Sequence, residues 1–400
     1  MFLVPGTSAI TVLASLLLAS TGTDALDNGL ARTPPMGWNS WNAVRCAVNE
    51  TIVRSAADAL VDSGLAAAGY QYIVLDDCWQ DYKRGADGAL RAHPTKFPSG
   101  IATLASYVRS KGLKFGLYGS PGTRTCAMIY DKYPGTGLGS KGHEQQDADT
   151  WAAWGVQYLK YDWCLADKDG LVHQPTFERM RDALAATGKG GEITYSISEY
   201  GYTKPWTWAA PVANLWRTTA DIQPRWDSVA RIIESQAALA GTSAPGAWND
   251  PDMLQIGNGK FTPEETRSHV AMWAMLAAPL MVGTLVDKLP QQTLDVLANP
   301  RLVAIDQDSL GKQAARIQQT AGVDLWTREL SGGRQAIAVF NTGNSTQSVT
   351  LSLGQDAALT DVWSGNAVAH GTAKVTAQVK AHDTAVFTRR SVGDVSITVA

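Results

Sequence analysis

From Pro34 to about Gly311 the chain alternates between two textures. Short runs of apolar, β-branched or aromatic residues stop abruptly at polar ones, and each is followed by a stretch whose apolar positions recur with helical spacing. The runs predict strands at Met36–Trp41, Tyr72–Asp77, Lys114–Gly119, Tyr158–Asp162, Ile193–Glu199, Leu215–Asp221, Ala247–Asp252 and Pro279–Gly283. The stretches between them predict helices at Thr51–Ala68, Ile101–Lys111, Gln146–Trp154, Gln174–Ala186, Ser228–Ala240 and Pro263–Leu276. Eight strand–helix units of roughly thirty-five residues fit a (β/α)8 TIM barrel, an α/β fold. A doubly wound sheet is the competing arrangement, but no glycine-rich phosphate loop follows the first strand.

Beyond Gln313 the period changes to two. Val323–Glu329, Gln335–Asn341, Gln347–Leu353, Leu359–Trp363, Val375–Val379 and Ala385–Arg389 alternate between Ser-Gly-Gly, Thr-Gly-Asn and Ser-Gly-Asn turns. This spacing predicts a smaller C-terminal antiparallel β-sandwich. Residues 26–313 are therefore expected to form the barrel and 314–400 the sandwich. Ahead of both, the apolar run Ile10–Ala19 followed by the small residues Thr23 and Ala25 fits an export signal over residues 1–25, although its first residues carry no Lys or Arg.

Composition narrows the class. The apolar share is 45% and the net charge is −3, which supplies a core and gives no electrostatic reason to bind nucleic acid. No other segment reaches the ~20 apolar residues of a membrane span, so the mature chain is expected outside the cytosol, secreted or periplasmic. The four cysteines, Cys46, Cys78, Cys126 and Cys164, form no CxxC, and three pairings into two disulfides are open to an exported protein. Trp is in excess, 14 against 7 Phe. Trp38, Trp41, Trp79, Trp163, Trp206, Trp208, Trp216 and Trp248 fall at or just past predicted strand ends.

Acidic residues fall there too. Asp76 and Asp77 end the second strand, Asp162 the fourth, Glu199 the fifth, Asp221 the sixth, and Asp250 and Asp252 the seventh. In a TIM barrel those ends open on one face. Any one of them could simply cap the following helix, since Asp is a favoured N-cap. So many carboxylates at one mouth repel each other unless cations intervene, and Lys160 and Arg217 alternate in register with Asp162 and Asp221. A metal centre is the next rival, but all six His lie away from the predicted strand ends, so neither metal nor cofactor is expected. Carboxylate chemistry remains. Glycoside hydrolysis needs one acid to protonate the leaving oxygen and a second to attack or to activate water. Asp76, Asp77 and Glu199 offer acceptors for sugar hydroxyls, and Trp38, Trp41 and Trp163 offer an aromatic wall.

The segments TPPMGWNSWN (from Thr33), YIVLDDCW (from Tyr72), YLKYDWC (from Tyr158), WRTTADI (from Trp216), WNDPDMLQIGN (from Trp248) and AIDQDSLGKQ (from Ala304) resemble glycoside hydrolase family 27. That family is dominated by α-galactosidases and also holds α-N-acetylgalactosaminidases, β-L-arabinopyranosidases and isomaltodextranases. The resemblance implies a retaining double displacement with Asp162 as nucleophile and Asp221 as acid/base. It implies sugar contacts from Trp41, Asp76, Asp77, Lys160, Glu199, Arg217 and Asp252, with Tyr118 and Met253 lining the pocket. It also implies the pairs Cys46–Cys78 and Cys126–Cys164. The Asp76–Asp77 pair is the form that leaves room for a hydroxymethyl group, and Glu199 is expected to take a free 2-hydroxyl. The expected substrate is thus a carbohydrate with terminal α-galactose, with L-arabinopyranosides as the alternative and a non-catalytic carbohydrate-binding barrel as the reading from another class. Three departures from the family pattern touch the rim and hence the substrate range: Gly119-Ser120-Pro121-Gly122 after the third strand, Trp163 after the nucleophile, and Ser198-Glu199-Tyr200 where Cys-Glu-Trp is common.

Overall fold

The computed structural model describes residues 25–400, apart from the side chains at 355–357 and 369–373. All but the last residue of the expected export signal lie outside them. Eight strands form one parallel sheet: β1 (Met36–Asn39), β2 (Tyr72–Leu75), β3 (Lys114–Gly119), β4 (Tyr158–Asp162), β5 (Thr194–Ser198), β6 (Leu215–Arg217), β7 (Trp248–Asp250) and β8 (Leu280–Val282). Pairing runs from β7 back to β1 and on to β8. The seam between β8 and β7 is closed just beyond β7: the Leu254 amide donates to the Met281 carbonyl at 2.8 Å, and the Gly283 amide to the Leu254 carbonyl at 3.0 Å. The fold is a TIM barrel.

The pleat sorts the side chains. Tyr72, Val74, Tyr158, Leu215, Trp248 and Met281 fill the barrel's interior, while Ile73, Leu75, Leu159, Tyr161, Tyr195, Ile197 and Trp216 join the core between strands and helices. Gly37 is required where β1 meets β2, because a Cβ there would lie 2.2 Å from the Tyr72 carbonyl oxygen. The expected helix Thr51–Ala68 is two, Glu50–Asp62 and Leu65–Ala68, divided at Gly64 with φ of 82°. Every predicted barrel strand is present, but six end earlier than expected, only β3 and β4 running to their predicted ends. Asp76, Asp77, Glu199, Asp221 and Asp252 therefore sit in the loops just past their strands, while Asp162 is the last residue of β4.

The sandwich holds β9 (Ala315–Thr320), β10 (Val323–Leu330), β11 (Arg334–Asn341), β12 (Gln347–Asp361), β13 (Ala367–Val379), β14 (Thr384–Arg389) and β15 (Val395–Val399). Two predicted strands, Gln347–Leu353 and Leu359–Trp363, are parts of one long β12 whose register slips between Ser352 and Ala357. The pattern did not predict β9 or β15, which carry alternating polar residues at the sheet's margin. Val323, Ile337, Leu351, Leu359, Phe387 and Ile397 form the sandwich's own core. Trp326, Phe340 and Val386 belong instead to the barrel's core, so the two layers share an apolar contact. Among the described residues no helix is long and apolar enough to cross a membrane.

Candidate active site

A cavity of about 290 Å³ opens at the C-terminal ends of the strands. That is near the lower end of the ~300–1,000 Å³ typical of ligand pockets, a size suited to one sugar ring. Its walls hold Trp41, Asp76, Asp77, Tyr118, Lys160, Asp162, Arg217, Asp221, Asp252 and Met253, ten of the eleven residues expected to act on the sugar. Residues far apart in sequence meet here because each leaves its strand at the same end. Arrival on one face follows from parity: Lys160 and Asp162 share the inward side of β4, and Arg217 that of β6.

Two cation-centred groups organise the floor. Lys160 Nζ lies 2.8 Å from Asp76 Oδ2 and 4.0 Å from Asp162 Oδ2. Asn39 Nδ2 donates to the same Asp76 oxygen at 2.8 Å. Burial works to discharge Lys160, but Asp76, Asp162 and Asp252 together outweigh it and hold the ammonium more firmly protonated than usual. Across the cavity, Arg217 Nη2 lies 2.9 Å from Asp252 Oδ2 and 3.2 Å from Asp221 Oδ1. Asp252 is fixed further by the Ile222 amide at 2.9 Å and holds a left-handed backbone, φ 86°. Burial pushes its carboxyl up to about 6 against the pull of Arg217. Asp221 differs from the others in being 63% exposed at the rim.

Asp162 lies buried at the end of β4, within reach of Lys160. Burial raises its pKa above the ordinary range, opposed by Lys160 and by a hydrogen bond from Tyr200. Tyr200 Oη donates to Asp162 Oδ1 at 2.5 Å and lies 3.4 Å from Cys126 Sγ. Tyr200 was singled out in the sequence only as a departure at the rim; it lies past the end of β5 on a left-handed backbone, φ 62°, where strand parity no longer reports direction. Asn42, Arg45, Tyr130, Asp131, Tyr202 and Ala220 also line the mouth and were not expected. They come from loops and from helical segments of five residues or fewer, too short for a periodicity to report direction.

Glu199 is the exception among the expected sugar contacts. It follows Tyr195 and Ile197 in parity and points outward, away from the cavity. Its Oε2 accepts from the Thr203 amide and hydroxyl at 2.9 and 2.8 Å, and His173 Nε2 stands 3.8 Å away. Burial pushes its carboxyl up to about 7. The aromatic wall is also narrower than expected. Trp38 is fully buried with its indole donating to the Thr284 carbonyl, and Trp163 stacks on His173 at 3.7 Å. Of the eight tryptophans near the strand ends, Trp41 alone lines the cavity.

Asp77 is held by the Cys78 and Ala127 amides at 2.7 and 2.8 Å; burial, reinforced by Asp76, nonetheless pushes it up to about 7. Both amides lie beside disulfides. Cys46–Cys78 ties the turn after β1 to the end of β2, and Cys126–Cys164 ties the helix Cys126–Tyr130 to the end of β4. Asp162 shares a small cluster with Cys126 and Cys164, whose sulfurs are bonded to one another. Asp250 lies beneath the cavity and accepts from the Asp252 amide at 2.8 Å.

A carboxylate-ringed, cation-balanced cavity at the mouth of a barrel that carries a C-terminal sandwich defines the class: a glycoside hydrolase. Residues 33–308 match the family described as alpha galactosidase A, and residues 320–388 match the alpha galactosidase C-terminal beta sandwich domain. The chain belongs to this family. It is 44% identical to alpha-galactosidase 3 of Arabidopsis thaliana over 90% of this chain and 82% of that protein. Among solved structures, alpha-galactosidase I from Mortierella vinacea is similar at 32% identity, TM-score 0.86, over 92% of this chain and 99% of that one. The alpha-galactosidase of Saccharomyces cerevisiae with raffinose matches at 27% identity, TM-score 0.81, over 91% and 99%. A β-L-arabinopyranosidase from Geobacillus stearothermophilus, at 22% identity and TM-score 0.81 over 92% and 98%, shares the fold.

Proposed function

We propose that this protein is an exo-acting α-galactosidase that releases terminal α-D-galactose with retention of configuration. The observation that carries the reading is the pairing, in one sugar-sized cavity, of a buried Asp162 beside a firmly charged Lys160 with a rim-exposed Asp221. A double displacement needs both. Asp162 attacks the anomeric carbon and forms a β-galactosyl ester while Asp221 gives its proton to the departing oxygen. Asp221 then takes a proton from water, which opens the ester and returns Asp162 as the carboxylate. Retaining geometry calls for carboxyls ~5–5.5 Å apart.

The remaining residues take positioning roles in this reading. Lys160 holds a positive charge between Asp76 and Asp162, which opposes burial and favours the ionised nucleophile. Tyr200 fixes one Asp162 oxygen, leaving the other to attack. Asp76 and Asp77 accept hydroxyls on the far side of the ring, Arg217 and Asp252 act as a hydrogen-bonding pair beside Asp221, and Trp41 offers a face to the sugar's apolar C–H surface. Tyr118 and Met253 complete the wall. The division into a barrel over 26–313 and a sandwich over 314–400 belongs to the same reading, as does export, which two disulfides favour.

Galactose and L-arabinopyranose share ring stereochemistry and differ by the hydroxymethyl group. Relatives of more than 40% identity named as α-galactosidases favour galactose, whereas the arabinopyranosidase likeness extends to the fold. Hydrolysis of nitrophenyl α-galactoside against nitrophenyl β-L-arabinopyranoside tests the choice. A clear preference for the galactoside is expected; preference for the arabinoside would overturn it.

A further inference from the structure

Two tyrosines at the mouth are largely in water although aromatic rings are usually at least half buried. Tyr130, at the end of the helix Cys126–Tyr130, is 63% exposed, and Tyr202, in the loop after β5, is 70% exposed. Both line the same cavity as Asp221. The Tyr130 phenol is pushed up by partial burial and by the neighbouring Tyr202, Asp162, Asp167 and Asp221. Tyr202 is braced from below by the Tyr200 ring, centroids 5.6 Å apart. Arg45 completes the rim. It lies over the Trp41 ring at 4.7 Å, pairs with Asp131, and keeps 58% of its side chain exposed.

Resting on the α-galactosidase reading above, we propose that Tyr130, Tyr202 and the Arg45–Asp131 pair form a binding subsite for a second pyranose, the sugar that leaves when galactose is cut off. The geometry of the reaction sets its place. Whatever is bonded to galactose must bring its bridging oxygen to Asp221, so the leaving group occupies the part of the mouth where Asp221 and these residues stand. Its chemistry sets the class. A pyranose presents a flat C–H face that packs on aromatic rings and a hydroxyl edge that needs donors and acceptors. Two exposed phenol rings serve the first need, and a guanidinium paired with a carboxylate serves the second. An alkyl chain would satisfy neither Arg45 nor Asp131 and would leave that pair to be desolvated without return.

The test compares substrates that do and do not reach the subsite. α-Galactosyl fluoride carries a single atom there, whereas an α-1,6-galactosyl-glucose disaccharide fills it. The ratio of kcat/KM for the disaccharide to kcat/KM for the fluoride is measured in the wild type, Tyr130→Ala, Tyr202→Ala and the double variant. Each substitution is expected to lower the ratio roughly ten-fold or somewhat less, the value of one well-stacked ring. A ratio unchanged in the double variant overturns the subsite, as does an octyl α-galactoside whose ratio to the fluoride falls just as steeply. Failure of the wild type to hydrolyse the fluoride would instead count against the α-galactosidase reading itself.

Discussion

Replacing Tyr200 with Phe removes one hydroxyl and keeps the ring that braces Tyr202. In the native site that hydroxyl donates to Asp162 at 2.5 Å, and among the described residues no other side chain donates to this carboxylate, Lys160 standing 4.0 Å away. A hydrogen bond to a charged group is worth about 1.5–3 kcal/mol. It favours the carboxylate, so its loss raises the Asp162 pKa further above the ordinary range, by about 1–2 units at 1.36 kcal/mol per unit. The acid limb of kcat/KM should therefore move to higher pH by that amount.

The two chemical steps respond differently. In the first, Asp162 gives up charge, and removing the bond destabilises the starting carboxylate at least as much as the transition state. In the second the carboxylate re-forms, and with about half the charge developed the barrier rises by about 0.75–1.5 kcal/mol, roughly 4- to 13-fold in rate. With an activated aryl galactoside, kcat and KM should fall together and a burst of aryl alcohol should grow as the ester accumulates. An unmoved acid limb together with unchanged kcat and KM would refute the reasoning, because a hydroxyl that only fills space predicts that outcome.

Asp221→Ala should lose roughly 10²–10⁴-fold in kcat/KM on a disaccharide and far less on α-galactosyl fluoride, since acid assistance matters when the leaving group is poor; equal losses on both would contradict the acid role. Glu199 concerns stability. Its folded pKa of about 7 exceeds its ordinary value, so the folded state binds the extra proton, and stability present below about pH 4.5 is lost as pH rises through 7, on the order of 3 kcal/mol. Glu199→Gln keeps an acceptor for Thr203 without the charge. Its melting temperature relative to wild type should rise between pH 5 and pH 8; a pH-independent difference would remove the argument. Replacing Cys126 and Cys164 by Ser opens a link that spans 38 residues and should cost about 2–4 kcal/mol in unfolding by denaturant. Activity should fall too, because Tyr118 Oη accepts from the Cys126 amide and lies 3.0 Å from Cys164 Sγ.

How much of this was legible in the sequence depends on periodicity. The barrel was, because eight runs of apolar residues ending in acids carry both the strand count and the face on which they open. So was most of the cavity, since Lys160, Asp162 and Arg217 lie in strands where parity fixes direction. Glu199 shows parity overlooked: it shares the outward side with Tyr195 and Ile197, whereas its neighbour Tyr200 reaches the cavity from a left-handed backbone, φ 62°. The tryptophans mislead for a related reason. A strand-end position says nothing about whether an indole turns into the core, as Trp38, Trp79, Trp216 and Trp248 do, or toward the cavity, as Trp41 does. Tyr130, at the end of a five-residue helix, and Asp131 just after it had no repeating pattern to report them. In the sandwich, β9 and β15 were hidden because a marginal strand needs few apolar residues.

The most direct test of the central claim is to trap the covalent intermediate. Incubation with a fluorinated α-galactosyl donor whose ester hydrolyses slowly, followed by digestion and mass spectrometry, should place one galactosyl adduct on the peptide Tyr158–Cys164, at Asp162. An enzyme that turns over α-galactosides yet carries its adduct on another residue, or that releases β-galactose first by proton NMR, would contradict the account.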